Sequence, residues 1–508
     1  MFNLNGRIII YANYTEEQLL KGTIKEQGEK VLDILTNSVS YHDQNAMDCI
    51  FLKNYLYGIQ DILKKKKKTR TDINHTGVEN WAYAFCDWKK AFLLGKPIQY
   101  APINDVPSDE IALLNSYVSY EHKQKLDQDL YEDVFATGHG FRYAFGSPFS
   151  DSDEAPFDLA NPDVENTEVV YSSGIGHKQL LSFIKTSKIY ITTTIDPITG
   201  KKNQVERNYD EYNVYTRKRH FVVNNKMGDL EIISSQPIII NEHVITEYYI
   251  NNRRMSLLEI CKDIFDDINF VENLDLDDIE AFVNSIMVFT NAEIDETTMN
   301  NIVEFGALSI KSTEQKQAKV EILQSRLKSL DTQIYYLRKL SALHSILSVP
   351  QANNNGDISN AETGKAFLVG SGFTSSSVRV NVEEQAFREA DRNVLKVILK
   401  VCKNTKDSGI KTLNVRDIEI KFNRDLSENL VSKTQALSNL FNINMPPEVA
   451  NQVVGLFSDP VSVSKLQRQY MEEKRNIENE IKNITNNSVK NNQEQNNEMN
   501  TAKSFDEQ

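Results

Sequence analysis

Apolar residues recur every three to four positions over long stretches of this chain and every second position over others, and the change of period divides it. From Thr15 to Leu63 the spacing is helical, with Val31, Leu32 and Leu35 on one face and a capping-box start at Thr15-Glu16-Glu17-Gln18. A second helix is expected over about Glu79 to Leu94, stopped by Gly95 and Pro97, and a third over about Ser108 to Ala136, closed by Gly138-His139-Gly140. Between about Phe141 and Ile250 the period shortens. KIYITTTI, YNVYTRKRHFVV and LEIISSQPIII are rich in β-branched and aromatic residues, with turns at Asp196-Pro197-Ile198-Thr199-Gly200 and from Asn224 to Asp229. Antiparallel hairpins are predicted, and no strand leads through a glycine-rich turn into a helix, which removes a doubly wound nucleotide fold.

Helical spacing returns at Ser256 and runs, with a break expected near Asn273, to about Phe289; a polar stretch then extends to Ser312. The clearest pattern follows. Val320, Leu323, Leu327, Leu330, Ile334 and Leu337 form a heptad seam, continued by Leu340, Leu343 and Ile346, and predict one long packed helix that Pro350 ends. Residues 351–377 are rich in Asn, Gly and Ser, a loop long enough to suggest function. A helix from Val380 to Lys403, a strand in TLNVRDIEIKF, and two or three helices between Ser427 and Ile484 complete the pattern before an Asn-rich tail. The fold class is therefore α+β.

Composition narrows the function. The 508 residues carry 57 Lys plus Arg against 71 Asp plus Glu, a net charge of -14, which argues against a protein that grips phosphate backbones tightly. Cys49, Cys86, Cys261 and Cys402 lack metal-ligand spacing and are expected to be reduced and mostly buried. No secretory leader and no bilayer-spanning apolar run is expected.

Searches for chemistry return little. Gly364-Lys365 is followed by Ala366 where a phosphate loop needs Ser or Thr. Asp275, Asp277, Asp278 and Glu280 lack the glycine and distant Glu of a calcium loop and are expected on a solvated or channel-facing helix side. His139, between two glycines, is read as a turn imidazole, and Trp81 and Trp88 as core residues rather than a base-stacking platform. The run Lys64 to Lys68, with Arg70, is read as a solvated loop or helix end rather than a nucleic-acid contact. No cofactor or metal is called for, and no catalytic residue.

Four stretches, in order, resemble the portal proteins of long-tailed phages of Gram-positive hosts: NWAYAFCDWKKAFLLGKPIQY; PDVENTEVVYSS with PIIINEHVITEYYINNRRMSLLE; NFVENLDLDDIEAFVNSIMVFTNAEI with YYLRKLSALHSILSVP and AETGKAF; and DIEIKFNRDLSENLVSKTQALSNLFNINMPPEVANQVVGLFSDPVS. The resemblance implies a portal-like fold: a helical and β-hairpin wing from residues 1–255 with 379–423, antiparallel stem helices at 256–284 and 313–347, a small α/β clip at 285–312, a tunnel loop within 348–378, a helical crown at 424–482 and a disordered tail at 483–508. It implies a ring, expected as a dodecamer, at the capsid portal vertex of the virion, assembled in the host cytoplasm. Double-stranded DNA would pass through it, and the terminase large subunit, major capsid and scaffolding proteins and a head-completion adaptor would be its partners, with no membrane. Asn353, Asn354, Asn355, Lys365 and Arg379 become candidate DNA-channel residues, and the heptad residues become stem packing. A non-enzymatic conduit suits an acidic chain, since strong phosphate affinity would brake a sliding polyanion. The competing readings are a helical scaffold or head-tail adaptor and, without a phosphate loop to support it, a packaging ATPase or nuclease.

Overall fold

A computed structural model describes residues 5–67, 71–103, 108–147, 154–195, 202–226, 228–283, 286–290, 319–323, 329–351, 373–423, 430–443, 445–454 and 463–479. In chain order the elements are β1 (Ile10–Ala12), α1 (Glu16–Leu20), α2 (Ile24–Leu56), α3 (Trp81–Leu94), β2 (Gln99–Pro102), α4 (Ser108–Tyr120), α5 (Lys123–Thr137), β3 (His139–Gly146), β4 (Phe157–Ala160), β5 (Thr167–Ser172), β6 (Gln179–Ile195), β7 (Lys202–Thr216), β8 (Arg219–Lys226), β9 (Asp229–Pro237) and β10 (Ile245–Tyr249). There follow α6 (Leu257–Val283), β11 (Ile286–Thr290), β12 (Lys319–Leu323), α7 (Ser329–Leu347), α8 (Phe373–Asn404), β13 (Ile418–Lys421), α9 (Leu430–Asn442) and α10 (Pro447–Val454). A last helix, α11, covers 463–479.

The chain divides into two compact units, one of Met1–Ala91, Lys125–Ala144 and Leu159–Val397, the other of Phe92–Gln124, Phe145–Asp158 and Ile398–Gln508. In the first, a six-stranded sheet has the order β1-β5-β6-β7-β8-β9, and all its pairings but the parallel β1–β5 edge are antiparallel. Alternation along the strands turns Leu181, Phe183, Tyr212, Val214, Phe221 and Val223 to one side, where they bury against Val31, Ile34 and Leu35 of α2. Gly28 leaves room there for the tip of Ile232, whose Cδ1 would stand 2.7 Å from a Cβ at that position. The N-terminal helical stretch is two helices, each opened by its own capping box, Thr15 with Gln18 and Thr23 with Glu26, and parted at Gly22, whose φ is +103°. The expected third helix is likewise two, α4 and α5, broken at His122, whose φ is +51°.

A second, three-stranded sheet has the order β10-β3-β4. His139 lies at the start of β3 and is buried, which corrects its reading as a turn imidazole: Tyr249 opposite it and Glu247 beside it draw it into the sheet. Beyond β10, α6 runs unbroken through Asn273 and stops at Val283, so Phe289 is on a strand, β11, and not on a helix. Its first turn is fixed by a box of Ser256 and Glu259, whose carboxylate is gripped by the buried Arg7.

The smaller unit pairs β2 with β13, Tyr100 opposite Ile420. Asn115 of α4 bonds both the N–H and the C=O of Tyr100, and the Glu110 carboxylate collects the amides of Lys411, Thr412 and Leu413. Helices α9 and α10 pack on each other, whereas α11 is exposed along almost its whole length. All four cysteines are buried and free.

Candidate functional site at the helix pair and the base of its loop

Helices α6 and α7 lie side by side and antiparallel, because Lys339 reaches Asp267 at 2.6 Å while Thr332, earlier in α7, bonds Asp275, later in α6, at 3.2 Å. Strands β11 and β12 continue them as an antiparallel pair with Ile286 opposite Leu323. The heptad reading therefore needs correction: Val320 and Leu323 are on a strand, and α7 begins only at Ser329. Val320 to Leu323 is a spacing of three, which a helix and a strand both tolerate, and the partner that selects the strand, residues 286–290, is distant in sequence. Leu327 lies outside the described residues, and Leu330 is on the first turn of α7. Ile334 and Leu337 are 56% and 57% exposed, so these two members of the seam are not packed among the described residues; the inner face of α7 is instead Leu343 and Leu347.

Helix α6 carries two stripes. Leu258, Cys261, Phe265 and Ile268 form the apolar one, and Lys262, Asp266, Asn269, Asn273 and Asp277 form a polar one beside it at spacings of four and three. The polar stripe binds the segment that follows α2. Asp266 accepts from the Tyr55 hydroxyl at 2.7 Å and pairs with Lys262, which also reaches Asp61. Asn269 accepts from the amide of Glu79 and donates to Gln60. Asn273 accepts from the amide of Gly77 and donates to its carbonyl, and so reads the backbone as a neighbouring strand would. Asp277 accepts from the amide and ring of His75 and is paired by Lys65 at 2.7 Å and Lys67 at 2.8 Å. Burial alone would raise its pKa, but these donors hold it well below the carboxylate range. Two expectations change. The lysine run is neither a solvated loop nor a helix end throughout, since alternate lysines of an extended segment turn inward, and the acidic group on α6 is not wholly solvated.

The two flanks of the segment between α7 and α8 are built from buried polar groups. Val349 donates to the carbonyl of His344, Ser348 sits at φ +54°, and Ser376 at the start of α8 donates back to the Ser348 carbonyl at 2.5 Å. Lys89, 1% exposed, caps the end of α7 by donating to the Leu347 carbonyl and pairs with Glu383 at 2.7 Å, which also accepts from Tyr131. The end of α7 and the start of α8 are thus tied to one another and to α3 and α5. Arg379 is exposed on α8, one turn after Ser376. Asn353, Asn354, Asn355 and Lys365 lie outside the described residues. Trp81 and Trp88 are half-buried on α3, and the Trp81 indole donates to Tyr336 of α7.

Behind α8, Arg254 at φ +51° stacks on Tyr249 with 3.7 Å to the ring centre and grips Glu247 with two nitrogens. Glu247 also accepts from Tyr171 and bonds His139, which lies 3.7 Å from the Cys49 sulfur. Gly138 makes this possible, since a Cβ there would meet the Arg254 carbonyl oxygen at 2.0 Å. Nothing in the sequence pointed to this network, whose members are brought together by pairing of β3 with β10.

The arrangement positions α6 against α7 and ties the end of α7 to the start of α8. Among the described residues no three His, Cys, Asp or Glu side chains are placed to hold a metal ion, and no helix is long and apolar enough to cross a membrane. Compared with known families, residues 38–497 match the family model described as phage portal protein, SPP1 Gp6-like. No curated protein matches the chain.

Proposed function

This chain belongs to the phage portal protein family, and from that premise we propose how its parts divide the work. As a portal protein it is a structural component of the phage capsid vertex through which the genome passes, and it self-associates and works with packaging and capsid partners, as its family does. In our reading twelve copies form the ring, double-stranded DNA passes through its centre, and the terminase large subunit docks on it during packaging in the host cytoplasm. Major capsid and scaffolding proteins surround it, and a head-completion adaptor follows. The chain acts without catalysis of its own.

We assign α6 and α7 to the stem, the segment between them to the clip, residues 424–482 to the crown and residues 1–255 to the wing; the tunnel loop, expected within 348–378, is drawn to stop before Phe373, where α8 begins ahead of the expected Val380, and the wing return then runs over 373–423. Because β12 pairs with β11, the clip is drawn to include Leu323 and the second stem helix to begin at Ser329. The observation that carries the reading is the family match over residues 38–497. The outward apolar positions support it: Phe270, Leu276 and Ile279 on α6 and Ile334, Leu337 and Ile346 on α7 are between 39% and 57% exposed, a surface that a neighbouring copy would cover.

Negative-stain imaging of the purified protein should give rings with a central hole. Ile334→Asp with Leu337→Asp should shift the population to monomer, since each lost burial removes about 1.5–3 kcal/mol per interface. A wild-type protein that stays monomeric at assembly-like concentration would defeat the ring, and rings formed equally well by the double variant would move the interface elsewhere.

A further inference from the structure

The first half of α6 is held by apolar burial and the second half is not. Leu257, Leu258, Cys261, Phe265 and Ile268 are buried, whereas beyond Ile268 the fully buried side chains among the described residues are Asn269, Asn273 and Asp277. Phe270, Leu276 and Ile279 in the same half are 49%, 39% and 45% exposed. What holds this half from the side of α2 is polar: the two asparagines on the backbone of Gly77 and Glu79, and Asp277 on Lys65, Lys67 and His75. Each of those partners lies on the connection between α2 and α3, and none belongs to a helix or strand of its own.

We infer that this connection is an ionic latch: the pairs Lys65–Asp277 and Lys67–Asp277, backed by His75, clamp the distal half of α6, and their release frees that half and the β11–β12 pair that begins three residues after it. The inference stands on the geometry of one unit and is independent of the portal reading. Three features favour a latch over a permanent weld. The lysine side chains are 10% and 27% exposed, so solvent ions reach the cations although the carboxylate is sealed at 0%. The groups facing Asp277 are Lys65, Lys67 and His75, with Glu280 also 3.5 Å from the His75 ring, so the clamp is a balance of charges rather than a packed interface. The apolar residues Phe270, Leu276 and Ile279 along the same half of the helix stay 39–49% exposed, so a released α6 has further apolar surface to bury. The latch gives two of the five consecutive lysines a role: in an extended segment alternate residues face one way, and Lys65 and Lys67 are the pair that face the helix.

Hydrogen exchange on the full chain tests this, comparing wild type with Asp277→Asn at low and at high salt. The variant keeps an acceptor and loses the charge. Exchange in both 60–67 with 71–79 and 270–283 should rise at least about tenfold, with β6 to β8 unchanged. Raising salt should accelerate the wild type towards the variant and leave the variant unmoved. Wild-type rates indifferent to salt, or a variant in which 270–283 exchanges as in wild type, would overturn the latch. Should Asp277→Asn also loosen β6 to β8, the variant Lys65→Gln with Lys67→Gln, which leaves His75 on the carboxylate, is read by the same criteria.

Discussion

His139 carries a charge that its neighbours in sequence do not explain. Burial would lower its pKa, yet hydrogen bonds with Cys49 and Glu247 raise it to about 10; burial would raise Glu247, yet His139 and Arg254 bring it to about 2. The sign of the linkage differs for the two. Glu247, depressed below the usual carboxylate value of about 4.3, adds stability that is lost as pH falls from there towards about 2. His139, raised above about 6.5, adds stability that is complete below that pH and is lost as pH rises towards about 10. The melting temperature should therefore be highest between about pH 5 and 6.5 as far as this network is concerned. In His139→Gln the decline between pH 7 and 10 should flatten, with a lower maximum; an alkaline decline equal to that of wild type would mean that the imidazole is neutral in the fold. Flanking glycines suggested a turn, and Gly138, at φ +90° and donating to the Val134 carbonyl, does close α5; the local signal could not show that β3 begins at the next residue, or that a Cβ at 138 would meet Arg254 and one at 140 would meet Leu130. The same limit applies to Asp277 and the lysine run, which are paired across more than two hundred residues and whose two sequence windows each look solvated.

At the scale of elements, type was legible and partnership was not. The helices at 81–94 and 257–283, the hairpin block and the strand within TLNVRDIEIKF follow from local period and caps, which are written in adjacent residues. The strand at Lys319–Leu323 was hidden because its identity depends on β11, and the break expected at Asn273 is absent because that side chain bonds a passing backbone and does not disturb its own helix. Partnership also decides the end of α7. Pro350 predicts a stop, which the left-handed Ser348 and the Val349-to-His344 bond make, and Lys89 on another helix, buried with Glu383, caps the Leu347 carbonyl exposed by it. Removing one member of such a pair leaves the other buried and unpaired, at about 3–5 kcal/mol, while replacing both with apolar residues is close to neutral. Lys89→Met should lower the melting temperature clearly, and Lys89→Met with Glu383→Leu should recover part of the loss, the remainder reflecting the Tyr131 hydroxyl left without its acceptor. A double variant no better than the single one would show that packing around the lysine stem, and not its charge, holds the site.

For the whole molecule, the charge of -14 and the family bear on one another. A conduit for a polyanion works by limiting attraction, so the parts that touch DNA are expected to be few and to carry little positive charge, and residues 353–357, Asn-Asn-Asn-Gly-Asp, fit that description better than the lysine run, two of whose members are committed to Asp277. The order of segments along the chain made the family legible without any catalytic motif, while the candidate site was legible only in outline: one helix ending before Pro350 and another resuming after it, but not the Ser348–Ser376 and Lys89–Glu383 ties that join them. Those ties allow the loop's role to be separated from folding. With both ends fixed by residues outside it, shortening a connection of this length by five residues changes its closure entropy by only about 0.2 kcal/mol. Deleting Asn353 to Asp357 should therefore leave the melting temperature and ring assembly as in wild type, while DNA packaging or retention in assembled heads falls. Normal packaging by the deleted protein would place the DNA contact on another segment, and failure of the rings themselves would make the loop an assembly element, with the channel surface to be sought on the face of α8 that carries Arg379.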